Sequence, residues 1–156
     1  MRHGASVILI RKEDGAVLMQ HRSDDPAISY PDFWAYPGGA VEDEDGNNFE
    51  KAAKRELYEE TGYTIAGGGL YLLTETDFTR SDGRVLRNHI FWAIYDGKQE
   101  IVTGEGVEMK FLTKEDFKGE KIVPGEEEFS RLALERAKLN GLVDEIQPKF
   151  GRIKIA

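Results

Sequence analysis

Two stretches near the N-terminus, Ser6 to Arg11 and Ala16 to Arg22, are runs of β-branched and apolar residues parted by Glu13-Asp14-Gly15. That pattern predicts a β-hairpin. A longer pair, Leu70 to Arg80 and Arg84 to Tyr95, predicts a second hairpin turning at Ser81-Asp82-Gly83. Helical patterning takes over in two other places. Good helix formers fill Ala52 to Glu59, and Gly62 stands where a left-handed residue stops a helix. Glu126 to Leu139 turns Phe129, Leu132, Ala133 and Ala137 to one face and ends at Asn140-Gly141. Thr113 to Phe117 reads as a short capped turn, Gly67-Gly68-Gly69 as a link, and Lys149 to Ala156 as an edge strand or a dimer contact. Strands alternating with two main helices predict an α/β (α+β) fold with a mixed sheet between helices.

The first helix carries a conflict. Glu56, Glu59 and Glu60 are three and four positions apart, so they share a face, and projection puts Phe49, Ala52 and Ala53 on that same face. Lys51, Lys54 and Tyr58 point the opposite way. A solvated acidic face paired with lysines belongs opposite the apolar stripe, whereas these carboxylates coincide with it. Crowded like charges late in a helix also oppose its dipole, so something positive is expected to compensate. Carboxylates without His or Cys are the ligand set of a hard cation such as Mg²⁺, with Mn²⁺ a possible substitute. The acidic loop before the helix is not an EF-hand, because setting Gly46 at the invariant glycine puts Val41 and Ala52 at ligand positions. Asn47 with Glu50 has capping-box spacing, and Asn48 is the other candidate cap.

Composition narrows the classes. At 156 residues and 40% hydrophobic, the chain suits one domain, 1–156, with a real core. Having no cysteine, it has no disulfide, thiol nucleophile or cysteine zinc site. No apolar run approaches the roughly 20 residues that span a bilayer, and a cytoplasmic location with no membrane partner is the expectation. A net charge of -8 argues against stable nucleic-acid binding but permits a polyphosphate bound with metal ions.

Pro37-Gly38-Gly39 followed by Arg55-Glu56-Leu57-Tyr58-Glu59-Glu60-Thr61-Gly62 resembles the Nudix box, G-x5-E-x7-R-E-U-x-E-E-x-G-U, where U is a bulky aliphatic residue. Two departures stand out. Tyr63 replaces the last aliphatic residue, and Gly39 to Arg55 is two residues longer than the pattern, so the first glutamate position falls on Asp45 or Asn47. Asp45 or Glu44 is then the expected partner of Arg55. The resemblance implies an α/β/α sandwich, Mg²⁺ held by Glu56, Glu59, Glu60 and the Gly38 carbonyl, and a catalytic set of Arg55, Glu56, Glu59, Glu60 and Glu108. Glu56 is the first choice of general base and Glu108 the second, with Glu105 an alternative acidic residue beside it. Substrate contacts are expected from Arg22, Tyr36, Gly39 and Phe78, the last by stacking on a base. Phe78, Phe91, Trp92 and Tyr95 are read as mostly core by default with any one of them able to stack on a base, His21 as structural, and Arg80, Arg84 and Arg87 as solvated charges or phosphate contacts.

The implied activity is hydrolysis of a diphosphate bond in a nucleoside diphosphate linked to another group, with a MutT-like nucleoside triphosphate pyrophosphatase foremost. Partners are then a small nucleoside polyphosphate and, at most, a second copy of the chain, as monomer or homodimer. Some relatives read oxidised guanine with Asn or Asp just before the C-terminal helix, where this chain has Gly125-Glu126. Nucleotide-sugar or ADP-ribose hydrolysis, or a non-catalytic nucleotide-binding module, are the alternatives. Retention of all three box glutamates favours catalysis over the last.

Overall fold

The computed structural model describes residues 2–104 and 108–144. Glu105 and the segment from Lys149 to Ala156 lie outside them. Strand β1 (Arg2–Ile10) starts four residues before the sequence-predicted hairpin arm and forms the spine of a seven-stranded sheet among the described residues. It pairs antiparallel with β2 (Val17–His21) at its end and with the short glycine strand β4 (Gly38–Ala40) at its start. Along its whole length it runs parallel to β6 (Val85–Ile94). Strand β5 (Tyr71–Thr79) closes the second hairpin on β6, while β3 (Trp34–Ala35) and β7 (Met109–Leu112) extend β2. One parallel pair among antiparallel ones makes the sheet mixed, as expected.

Alternation along β1 sorts the two faces. Ala5, Val7 and Leu9 pack under helix α1 (Phe49–Thr61) with Ala52, Ala53 and Leu57. Ile8 and Ile10 pack on the other face with Ala133 and Ala137 of α3 (Glu126–Leu139). Two helices on opposite faces complete an α/β/α sandwich. Phe91 and Trp92 are buried, one in each layer, as expected. Leu132, expected to face the body, is instead exposed on α3, and Ser130 takes the inward place because it bonds the Tyr36 hydroxyl. Tyr63 replaces the aliphatic residue at the end of the box and is nonetheless buried in the α1 layer. The short α2 (Lys114–Phe117) starts at Thr113 with reciprocal capping by Asp116. Among the described residues no helix is long and apolar enough to cross a membrane.

Candidate active site

Helix α1 is fixed at both ends. Asn48, not Asn47, is the cap, its Oδ1 accepting from the Lys51 N–H at 3.0 Å. At the far end Gly62 adopts φ 74°, and its N–H donates to the Tyr58 carbonyl at 2.8 Å. The helix is thereby laid across β4, whose two glycines face different ways. Gly38 pairs with Ser6 and its N–H donates to Glu60 Oε2 at 3.0 Å. Gly39 pairs with Ala5, and a Cβ there would stand 2.6 Å from the Glu56 carboxyl carbon. The absent side chain is what admits that carboxylate.

Arg55 organises the acidic groups. Its Nε and Nη2 hold Asp45 at 3.0 and 2.8 Å, and Nη2 also reaches the Ala40 carbonyl at 3.2 Å. Nη1 donates to Glu56 Oε1 at 3.0 Å and Glu59 Oε2 at 3.2 Å. All five guanidinium donors are thus used. Asp45, not Glu44, replaces the box's first glutamate; the one-turn helix Asp43–Asp45 takes up the surplus loop and buries this shorter acid against the guanidinium. Arg55 holds the Asp45 carboxyl down at about 2. A carboxylate depressed in the folded state stabilises above its unfolded pKa, about 3.9, and that contribution is lost as pH falls towards 2. Asp45→Asn is expected to lower the thermal midpoint at pH 7 and to shrink the difference from wild type below pH 3, as followed by circular dichroism.

The three box glutamates differ in setting. Glu56 is largely buried and Glu60 half-buried, whereas Glu59 is 54% exposed and rests on Arg55, further out than the helical projection implied. Burial raises the Glu56 carboxyl, and Arg55 opposes the shift. Glu60 lacks such a partner: burial first, then repulsion from Glu56, push it up to about 8 against the pull of the Gly38 N–H. This is a donor set with uncompensated negative charge. Among the described residues no three His, Asp or Glu groups are already gathered as a metal cage, since Glu56 and Glu59 turn to Arg55 and Glu60 to Gly38. In kind, all-oxygen donors with an unbalanced charge fit a hard dication.

On the α3 side of the sheet a cleft of about 450 Å³ reaches from Gly38 and Gly39 to Phe78. It brings together four of the expected substrate residues, Arg22, Tyr36, Gly39 and Phe78. Arg22 Nε donates to the Ser29 carbonyl at 2.9 Å, and its charge bears on both Glu60 and Glu126. Phe78 packs edge-tilted on Tyr30 at 5.6 Å. Tyr36 is buried, and its hydroxyl bonds Ser130 at 2.7 Å and donates to the Glu126 carbonyl, so its polar end serves α3. Glu108 has an exposed side chain and is not among the residues lining the cleft, and its carbonyl accepts from the His21 N–H at 2.8 Å. His21 stacks on Trp34 at 4.7 Å and bonds Asp32, as a structural residue would.

Three cleft residues went unread as site residues. Glu126 Oε1 accepts from the Tyr36 N–H at 2.7 Å, and burial pushes its carboxyl up to about 8. Asn88 and Ser6 bond one another at 3.0 Å on the cleft floor. The sequence signal was there: an amide and a hydroxyl on the strand face that further along carries Ile8, Ile10, Ile90 and Trp92.

A carboxylate-bearing helix on a glycine strand, beside a cleft of nucleotide size, is the layout of a hydrolase of phosphorus-containing acid anhydrides. The sequence matches the NUDIX domain over residues 1–133, and the chain belongs to that family. Nudix enzymes cleave nucleotide diphosphate linkages, and this is the activity class of the chain. Solved structures share the fold at low identity. A MutT protein from Methanosarcina mazei Go1 is 20% identical, with a TM-score of 0.68, covering 86% of this chain and 94% of that one. The NUDIX domain of Shewanella oneidensis NrtR, complexed with ADP ribose, is 18% identical with a TM-score of 0.68, covering 86% of each chain. A C. elegans Ap4A hydrolase is 20% identical with a TM-score of 0.68, covering 90% of this chain and 99% of that one.

Proposed function

We propose that this chain acts as one Nudix domain that hydrolyses a nucleoside triphosphate or related nucleoside diphosphate derivative in an Mg²⁺-dependent reaction. One observation carries the reading: Glu60 and Glu56 meet the two glycines of β4 at the mouth of the cleft that Phe78 closes. Glu56, Glu59, Glu60 and the Gly38 carbonyl would hold the cation. When bound, it supplies positive charge to the diphosphate oxygens and makes water a better nucleophile. Arg55 fixes Glu56 by its Oε1, which leaves Oε2 to take the proton from the attacking water. Arg22 binds phosphate from the cleft side, and Phe78 stacks on the base.

The test is phosphate or pyrophosphate release, with and without Mg²⁺, from nucleoside triphosphates, nucleotide sugars, ADP-ribose and dinucleoside polyphosphates. A nucleoside triphosphate is expected to be cleaved fastest, to the monophosphate and pyrophosphate. Faster turnover of ADP-ribose would move the assignment to that class. Binding without turnover of any substrate would make the chain a nucleotide-binding module.

A further inference from the structure

The cleft crosses four adjacent strands, β4, β1, β6 and β5, and three strand spacings of about 4.8 Å make it about 14 Å from the glycine strand to β5. That is farther than a diphosphate alone extends, so the β5 end belongs to a part of the ligand remote from the scissile bond. Arg80 stands at that end, and Arg2 lies two strands away from β5, on β1. Arg2 opens β1 in register with Leu86, Leu86 is in register with Phe78, and Arg80 directly follows β5. All four residues line the cleft.

These arginines are unlike the others. Arg11 and Asp14, Arg55 and Asp45, Arg84 and Asp82, Arg87 and Asp77, and Arg131 and Glu128 are ion pairs, while Arg22 and Arg136 donate to carbonyls. Among the described arginines only Arg2 and Arg80 use the guanidinium for no hydrogen bond or ion pair with the protein. Asp82 lies close enough to feel the charge of both Arg80 and Arg84, yet only Arg84 is within ion-pair distance of it, at 3.9 Å. The one acidic side chain lining the cleft, Glu126, sits at the α3 wall and is engaged by Tyr36. Between the two charged ends Phe78, Leu86, Ile90 and Phe129 supply apolar surface around the Ser6–Asn88 pair.

We infer that Arg2 and Arg80 form a distal anion subsite, and that the preferred substrate carries a second phosphate group on the nucleoside, remote from the diphosphate that is cleaved. This rests on the proposed nucleotide reading of the cleft and narrows its substrate class. Forked guanidinium donors recognise a phosphate monoester through charge-assisted hydrogen bonds that a neutral ribose edge does not offer.

The test is calorimetric binding of nucleoside 5′-monophosphates and 3′,5′-bisphosphates, with adenine and with guanine as base, so that no turnover is needed. The bisphosphate is expected to bind about tenfold tighter, with the preference shrinking as salt rises. Arg80→Gln and Arg2→Gln should each remove most of that ratio. Arg84→Gln, paired with Asp82 outside the cleft, should keep it and controls for a general change of surface charge. Equal affinity for the two ligands, or a ratio that survives both cleft substitutions, overturns the subsite alone. If neither nucleotide binds and no diphosphate substrate is cleaved, the subsite falls together with the nucleotide reading beneath it.

Discussion

Glu60→Gln lowers kcat/KM for the best nucleotide substrate by about 10³-fold, because the amide cannot supply the charge that the cation and the transition state require. Glu59→Gln, at an exposed position on Arg55, costs less, about 10–100-fold. Unchanged turnover in both variants would sink the assigned roles. A second readout separates this from simple misfolding. In the metal-free protein the Glu60 carboxyl stands at about 8, well above the roughly 4.3 of an unfolded glutamate. A carboxyl raised by folding favours the native state fully below its unfolded pKa, and that contribution disappears as pH climbs through the folded value. Metal-free wild type should therefore lose thermal stability between about pH 4.3 and about pH 8. Glu60→Gln should lose less over the same range, and Glu56 and Glu126 supply the remaining slope, since burial raises both. The variant is thus expected to be inactive yet at least as stable as wild type at pH 8, measured by calorimetry. Equal slopes would mean that Glu60 is not the desolvated carboxyl.

Much of this arrangement was legible before any coordinates because it is periodic. Helical spacing alone placed Glu56 and Glu60 on the inward side with Ala52 and Ala53, and alternation gave both hairpins. What periodicity does not encode is depth. Glu59 shares the face yet is pulled outward by Arg55, a pairing that depends on the loop carrying Asp45. The same limit explains Leu132, which has the right spacing but the wrong side of the buried stripe on α3. The cleft was harder still, since Ser6 and Asn88 lie 82 positions apart and meet only through the parallel pairing of β1 with β6. Glu126 could be named from sequence as a departure from a family pattern, but its bond to the Tyr36 N–H joins elements 90 residues apart. Long-range register, not local propensity, decides such contacts.

The two glycines of β4 should fail differently when each gains a methyl group. At Gly39 the new Cβ meets Glu56 Oε2 at 2.6 Å and Oε1 at 2.7 Å, the far end of a flexible side chain that can swing away. Gly39→Ala should therefore fold nearly as well as wild type while losing about 10²-fold in kcat, because displacing a catalytic carboxylate by an ångström is that costly. At Gly38 the Cβ meets the Ala5 carbonyl at 2.5 Å, Ser6 Oγ at 2.6 Å and Ser6 Cα at 2.8 Å. Backbone cannot swing away, so β4 must part from β1, at about 1–3 kcal/mol of overpacking strain. Urea unfolding with parallel turnover measurements tests both. A destabilised Gly39→Ala with normal activity, or a Gly38→Ala as stable as wild type, would show that the helix does not lie on the glycine strand in this way. Loss of activity with stability kept at Gly39, and loss of both at Gly38, would place the chemistry where the carboxylates meet the backbone.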